Sequence, residues 1–261
     1  MREQRLVFGE VAELYDQHRP TYPDRLIDDL VALAELDGSE AVLEVGAGTG
    51  KATVMFAARG IPVVGVEPSG EMAAIARRKS AAYRGVEFEQ SDFERWDARG
   101  RRFPLVFSAQ AWHWVAQPAG YAKARGVLSP HGLLAPFWNR IAWDRSDLRA
   151  QLLAAYERAA PDLSSVTPMH PANLCPDADQ DWEAEIAGIE GLTGAEVRYY
   201  EWEQDYTTEE YIGLLETTSD IRLLDEGRRT ELFAAVADAI DQQGRPLTLP
   251  MGTRLCLARR S

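Results

Sequence analysis

The stretch VLEVGAGTGKAT at 42–53 constrains the fold more than any other part of the chain. An apolar run enters Gly46, Gly48 and Gly50 directly, and an amphipathic run follows, so the segment reads as strand, tight turn and helix. Glycines at such a turn let a ligand approach the backbone, and the helix start beyond Gly50 presents unpaired N–H groups to a carboxylate or phosphate. A nucleotide-like ligand is implied. A dinucleotide fingerprint needs Gly or Ala at the sixth place counted from Gly46, where Lys51 stands instead. The phosphate-loop spacing around a Lys is also absent, so Lys51 reads as a surface lysine.

The rest of the chain repeats this rhythm. Short apolar runs at 41–45, 62–66, 85–89, 104–109 and 132–138 alternate with amphipathic stretches at 51–59, 70–83 and 119–128, and a further helix is predicted over 24–36. That alternation is how parallel βαβ units read, and it predicts an α/β protein with a doubly wound, mostly parallel sheet. Pro136 falls in the fifth run and removes a ladder donor, so the strand is expected to end or bulge there. Beyond Trp138 the rhythm changes. Helical stretches at 146–160 and 179–189 surround TPMHPANLCPDAD, and a long insertion of this kind reads as a helical cap or lid. EVRYYEWEQDY at 196–206 alternates like a strand, and Thr207 with Glu210 forms a capping-box signature before a helix. A helix is predicted at 226–242, and LTLPMGTRLCLARR reads as two short strands around Pro250 and Gly252, a terminal hairpin. The expected organisation is an N-terminal segment and Rossmann-like core over 1–140, an inserted cap over 141–192, and the remainder of the core over 193–261.

Two acidic positions extend the glycine loop into a site. Glu67 closes the second run, 21 residues beyond Gly46, where a carboxylate can accept from both ribose hydroxyls. Asp92 follows the third, where a carboxylate can accept from an adenine amino group while Phe93 covers the ring.

EVGAGTG, VVGVEPSGEM, EFEQSDFE and PLVFSAQAWHWV together resemble the class I S-adenosylmethionine-dependent methyltransferases, in the small-molecule branch of the trans-aconitate and ubiquinone types. The resemblance covers about residues 11–138 and, more loosely, the final two strands. It implies a seven-stranded sheet whose last strand is antiparallel, S-adenosylmethionine as cofactor, and methyl transfer to an oxygen, nitrogen or carbon atom. It assigns the methionine part of the cofactor to Glu44, Gly46, Gly48 and Gly50, the ribose to Glu67, and the adenine amino group to Asp92. The neighbouring candidates are Ala47, Pro68, Met72, Ser91, Phe93 and Gln110, with Tyr15 and Tyr22 of the N-terminal segment folding over the cofactor or packing as ordinary amphipathic aromatics.

For the acceptor, His113 is the candidate general base, since an imidazole takes a proton near neutral pH; the alternative is a structural imidazole hydrogen-bonded to a loop. Trp112, Trp114, Trp138, Arg140 and Trp143 are candidate acceptor contacts, because aromatics with a few polar groups make a small-molecule pocket. Trp182 falls in the expected cap, and Arg19, Arg140 and Arg222 are the cations to consider for an acidic acceptor.

Composition narrows the partners. With 28 Lys and Arg against 41 Asp and Glu, the formal net charge is −13, which disfavours nucleic acid and anionic membranes. Two cysteines, Cys175 and Cys256, make neither a disulfide framework nor a zinc site, and no metal is expected. The N-terminus lacks the apolar run of a secretory signal, so a cytoplasmic setting is expected. The competing readings are a non-catalytic S-adenosylmethionine-binding module and an NAD-dependent oxidoreductase.

Overall fold

A computed structural model describes residues 12–174 and 181–261 of the chain. Cys175 and the expected start of a helix at Asp179 lie outside the described residues. The elements are α1 (Ala12–His18), α2 (Asp24–Leu33), β1 (Val42–Val45), α3 (Lys51–Ala57), β2 (Val63–Val66), α4 (Gly70–Ser80), β3 (Val86–Glu89), β4 (Phe103–Ala109), α5 (Ala119–Val127) and β5 (Leu128–Ile141). Then come α6 (Arg149–Ala159), α7 (Pro161–Ser164), α8 (Trp182–Ala187), β6 (Leu192–Tyr206), α9 (Thr208–Glu216), α10 (Ser219–Arg222), α11 (Glu226–Asp241) and β7 (Leu247–Arg260). The strands form one seven-stranded sheet in the order β3-β2-β1-β4-β5-β7-β6. β7 alone runs antiparallel to its neighbours β5 and β6, while the pairs among β1 to β5 are parallel.

β1 is buried along its whole length, as a central parallel strand must be. Its alternation sends Val42 into one apolar layer with Phe56 and Phe107, and Leu43 and Val45 into the opposite layer with Phe93 and Val106. A third apolar cluster, built by α6, α9, α10, α11 and the ends of β6 and β7, stands beyond the sheet's C-terminal edge. The capping box forms as the sequence predicts: the Glu210 N–H donates to Thr207 Oγ1 (3.2 Å) and the Thr207 N–H donates to Glu210 Oε2 (2.8 Å).

Three expectations are corrected. β5 neither ends nor bulges at Pro136. It continues to Ile141, with Pro136 opposite Ser108 of β4, and its pairing with β7 passes from Leu134↔Ala258 to Phe137↔Leu255 in one register. The missing donor therefore falls where no bridge to β7 forms. The C-terminal segment is one strand rather than a hairpin. Pro250 faces Glu203 of β6 but precedes Met251, where pairing with β5 stops, so its lack of an N–H breaks no ladder on that side. Trp182 is not a lid residue: it is 3% exposed in the core cluster against Tyr121, and its indole N–H donates to the Leu257 carbonyl at 2.8 Å.

α1 is strapped across α4 and α9. Arg78 pairs with Glu13 at 2.8 Å, and Lys79 pairs with Asp16. The Arg19 guanidinium donates to the Thr217 hydroxyl (2.7 Å) and carbonyl (3.1 Å). Gly213 of α9 admits the His18 ring, which a Cβ at that position would meet at 2.5 Å.

Trp182→Ala is expected to destabilise the fold by about 3–5 kcal/mol in urea unfolding, the range for removing a buried aromatic. A loss under about 1 kcal/mol, typical of surface sites, would return Trp182 to a peripheral cap.

Candidate functional site

The loops leaving β1, β2, β3 and β4 border one cavity of about 620 Å³. Glu44, Gly46, Ala47 and Gly48 line it from β1 and its turn; Glu67, Pro68 and Met72 line it from β2 and α4. Ser91, Asp92 and Phe93 follow from β3, and Gln110, His113 and Trp114 from β4. Tyr15 and Tyr22 reach the same cavity from the N-terminal segment, and Arg140 and Trp143 from the end of β5 and beyond. The sequence-predicted residues thus meet, with four exceptions. Gly50 caps α3 at φ +77°, where a Cβ would press on Ala76 at 3.0 Å, so its role is helix packing. Trp112 is buried in the core, edge-on to Tyr121. Trp138 stands behind His113, outside the cavity lining. Arg222 also lies outside that lining.

The glycine turn is held open by Glu67. Its carboxylate accepts from the Gly48 N–H at 2.8 Å through Oε2 and from the Ser69 N–H at 2.8 Å through Oε1. One side chain therefore ties the β1 turn to the start of α4, where the Ser69 hydroxyl accepts from the Met72 N–H at 3.3 Å. Gly46 and Gly48 take φ +71° and +55°, in the left-handed region. A Cβ at Gly46 would collide with Ala111 at 2.4 Å, whereas one at Gly48 meets nothing within 4 Å, so the backbone at Gly48 faces open space.

Glu44 is 1% exposed and accepts from the Thr53 hydroxyl of α3. Burial disfavours its charged form and pushes its pKa up to about 8, with the Glu67 charge adding to the rise. It is thus mostly protonated at neutral pH. Lys51 is not a free surface lysine: its Nζ donates to the Asp16 carbonyl at 2.6 Å, which pins α1 over the glycine turn, and burial lowers its pKa to about 8.

After β4 the backbone is strained. Gln110 sits at φ +60°, costly for a residue with a side chain, and is held there by its N–H on the Phe137 carbonyl (2.9 Å) and its Nε2 on the Asn139 carbonyl (3.1 Å). Asn139 in turn donates to the Thr21 carbonyl (2.7 Å) and accepts from the Thr253 hydroxyl (2.7 Å), joining the N-terminal segment to β5 and β7. Beyond Gln110, the Trp138 indole N–H donates to His113 Nδ1 at 3.1 Å. An indole only donates, so Nδ1 must be unprotonated and the proton of the neutral imidazole sits on Nε2. The lone pair that a base would use is thereby engaged by Trp138, and this geometry favours His113 as a hydrogen-bond donor over a general base.

Sequence reasoning missed the far half of the cavity, where Tyr156, Met169, Tyr206, Tyr211, Leu214 and Met251 line the wall. They come from four separate elements and a loop, and no local motif links them. The alternation ending at Tyr206 and the capping box of α9 were the available signals.

The sheet order with its antiparallel β7, and a glycine turn between β1 and α3, define the class I methyltransferase fold. Residues 42–132 match the family described as methyltransferase domain. It is 36% identical over 152 residues to an uncharacterized methyltransferase of Mycobacterium tuberculosis strain H37Rv, an alignment covering 55% of this chain and 58% of that protein. The chain thus spans less than two thirds of this curated relative. A solved structure assigned as a type II methyltransferase from Anaeromyxobacter dehalogenans shares the fold at TM-score 0.64, with 20% identity over 92% of this chain and 97% of that one. Phosphoethanolamine N-methyltransferase 2 of Haemonchus contortus, solved with S-adenosyl-L-methionine, shares it at TM-score 0.54, with 15% identity over 97% of this chain and 56% of that one. Among the described residues, no helix is long and apolar enough to cross a membrane.

Because the folded Glu44 pKa lies above the usual carboxylate value, the native state holds a proton that the unfolded chain releases. The stabilisation is full at low pH and declines as pH rises through about 8. Urea titrations of the unliganded protein at rising pH are expected to show wild type losing roughly 2–4 kcal/mol relative to Glu44→Gln across that window. Parallel curves would refute a protonated Glu44. For His113, side-chain ¹⁵N spectra, assigned by difference with His113→Gln, are expected to show the proton on Nε2 and a coupling across the Trp138 hydrogen bond. A proton on Nδ1 would contradict the geometry.

Proposed function

We propose that this chain transfers the methyl group of S-adenosylmethionine to a small organic acceptor. The observation that carries this reading is the convergence of three successive strand tips, with the Gly46–Gly48 turn, Glu67 and Asp92 all on one cavity. The residues fit such a cofactor. The Thr49 hydroxyl, on the glycine turn, is buried without a partner among the described residues, and the Gly48 backbone borders space that a side chain would fill.

In this reading Glu67, whose oxygens keep further lone pairs beside their backbone bonds, accepts from the ribose hydroxyls. Asp92 accepts from the adenine amino group, with Phe93 against the ring. The glycine turn takes the amino-acid end. When bound, the cofactor supplies an electrophilic methyl on a sulfonium, displaced in line by an oxygen, nitrogen or carbon nucleophile. The protein's part is alignment and dryness, the two effects that speed such a displacement. α1, held by Lys51, Lys79 and Arg19, covers the cofactor side and keeps water out. His113 donates to the acceptor and orients it. The concave shape of the cavity and the −13 net charge support a small molecule over a nucleic acid or a membrane as partner.

Calorimetric titration tests the reading. S-adenosylmethionine is expected to bind at one site, and Glu67→Ala to weaken binding by about 1–3 kcal/mol, roughly 5- to 150-fold, the scale of a lost hydrogen bond to a charged group. Unchanged affinity in the variant, or tight NAD binding in place of S-adenosylmethionine, would overturn it.

A further inference from the structure

The cavity has two halves of different chemistry. Next to the strand tips it is lined by backbone amides and carboxylates. Beyond them it runs into the third apolar cluster, between the turn after β5 and the C-terminal helices. Trp143, Met169, Leu214, Leu215, Ile221 and Met251 form this wall, and each is 7% exposed or less. The charged groups of this half are Arg140 and Asp220, exposed at its rim, and the half-buried Arg19, whose guanidinium is turned onto the Thr217 hydroxyl and carbonyl.

Three phenols complete the wall. Burial raises the pKa of Tyr156 and Tyr211, and pushes that of Tyr206 up to about 12, so all three remain neutral near pH 7. Tyr206 packs edge-on to Tyr211 with ring centres 5.9 Å apart. A chamber walled by apolar side chains and neutral hydroxyls, with the half-buried Arg19 held against Thr217, rewards apolar area and penalises a desolvated polyanion or polyol.

Resting on the methyl-transfer reading, we infer that the acceptor is a molecule with an aromatic or branched aliphatic body that fills this chamber, and not a polyanion or a sugar. Its reactive atom then faces the cofactor half while its apolar body lies between α9, α10 and β7. Specificity resides in residues after 140, outside the residues of the methyltransferase-domain match.

Calorimetry on the protein saturated with S-adenosylhomocysteine tests this, with 2-naphthol, citrate and methyl glucoside as probes. S-adenosylhomocysteine is titrated first, and its failure to bind would count against the methyl-transfer reading itself. With that site filled, 2-naphthol is expected to bind at least about tenfold more tightly than either polar probe, the difference made by some 55 Å² of apolar burial. Leu214→Trp and Ile221→Trp, which fill the chamber, are each expected to weaken 2-naphthol by roughly tenfold or more while S-adenosylhomocysteine affinity changes by less than about threefold. No 2-naphthol binding to wild type, equal or tighter binding of citrate or methyl glucoside, or 2-naphthol affinity unchanged in both variants would overturn the inference.

Discussion

The Glu67 carboxylate, bridging the Gly48 and Ser69 N–H groups, is the contact on which the site depends. It sits at the end of β2, with a fixed place in the sheet, and reaches across to the turn after β1. The left-handed glycines make that turn possible, but they also leave it conformationally free. A charged acceptor on two backbone donors removes the freedom, because such bonds are stronger than neutral ones. The same carboxylate lines the cavity, so one residue shapes both the turn and the wall beside it.

Around this contact the structure closes in layers. Glu44 buries a carboxyl beneath the turn and binds Thr53 of the following helix. Lys51 reaches up from that helix to the Asp16 carbonyl, and Arg19 crosses to Thr217. The N-terminal helix is therefore fixed at the glycine turn, at α4 and at α9. Asn139 adds a fourth tie through Thr21. Gln110 keeps its strained backbone because Phe137 and Asn139 hold both its main chain and its amide. The polar half of the cavity is thus a network of contacts between distant parts of the sequence, whereas the apolar half is walled by packing alone.

This division explains what could be read from the chain. The parallel strands, the glycine turn, Glu67, Asp92 and the capping box at Thr207 are local signals: each lies in a few consecutive residues whose spacing has one physical use. Strand limits shifted by a residue or more because pairing partners, not propensity, decide where a ladder stops. Pro136 and Pro250 misled for that reason: each sits where its missing donor is not needed, a fact set by the neighbouring strands. Trp112, Trp138 and Trp182 were indistinguishable from pocket aromatics by composition, and only packing places them in the core or behind His113. Lys51 read as a surface residue because Asp16 lies 35 positions away. The wall of Met169, Tyr206, Leu214 and Met251 has no sequence signature, since its members share only the space they enclose.

A crystal structure of the protein with S-adenosylhomocysteine tests the central claim most directly. The account predicts the ribose on Glu67, the adenine between Asp92 and Phe93, the amino-acid end over Gly46 to Gly48 with the Glu67 bridge intact, and the sulfur facing the chamber beside Trp143. A ligand seated elsewhere, or a glycine turn that abandons Glu67 to admit it, would contradict it.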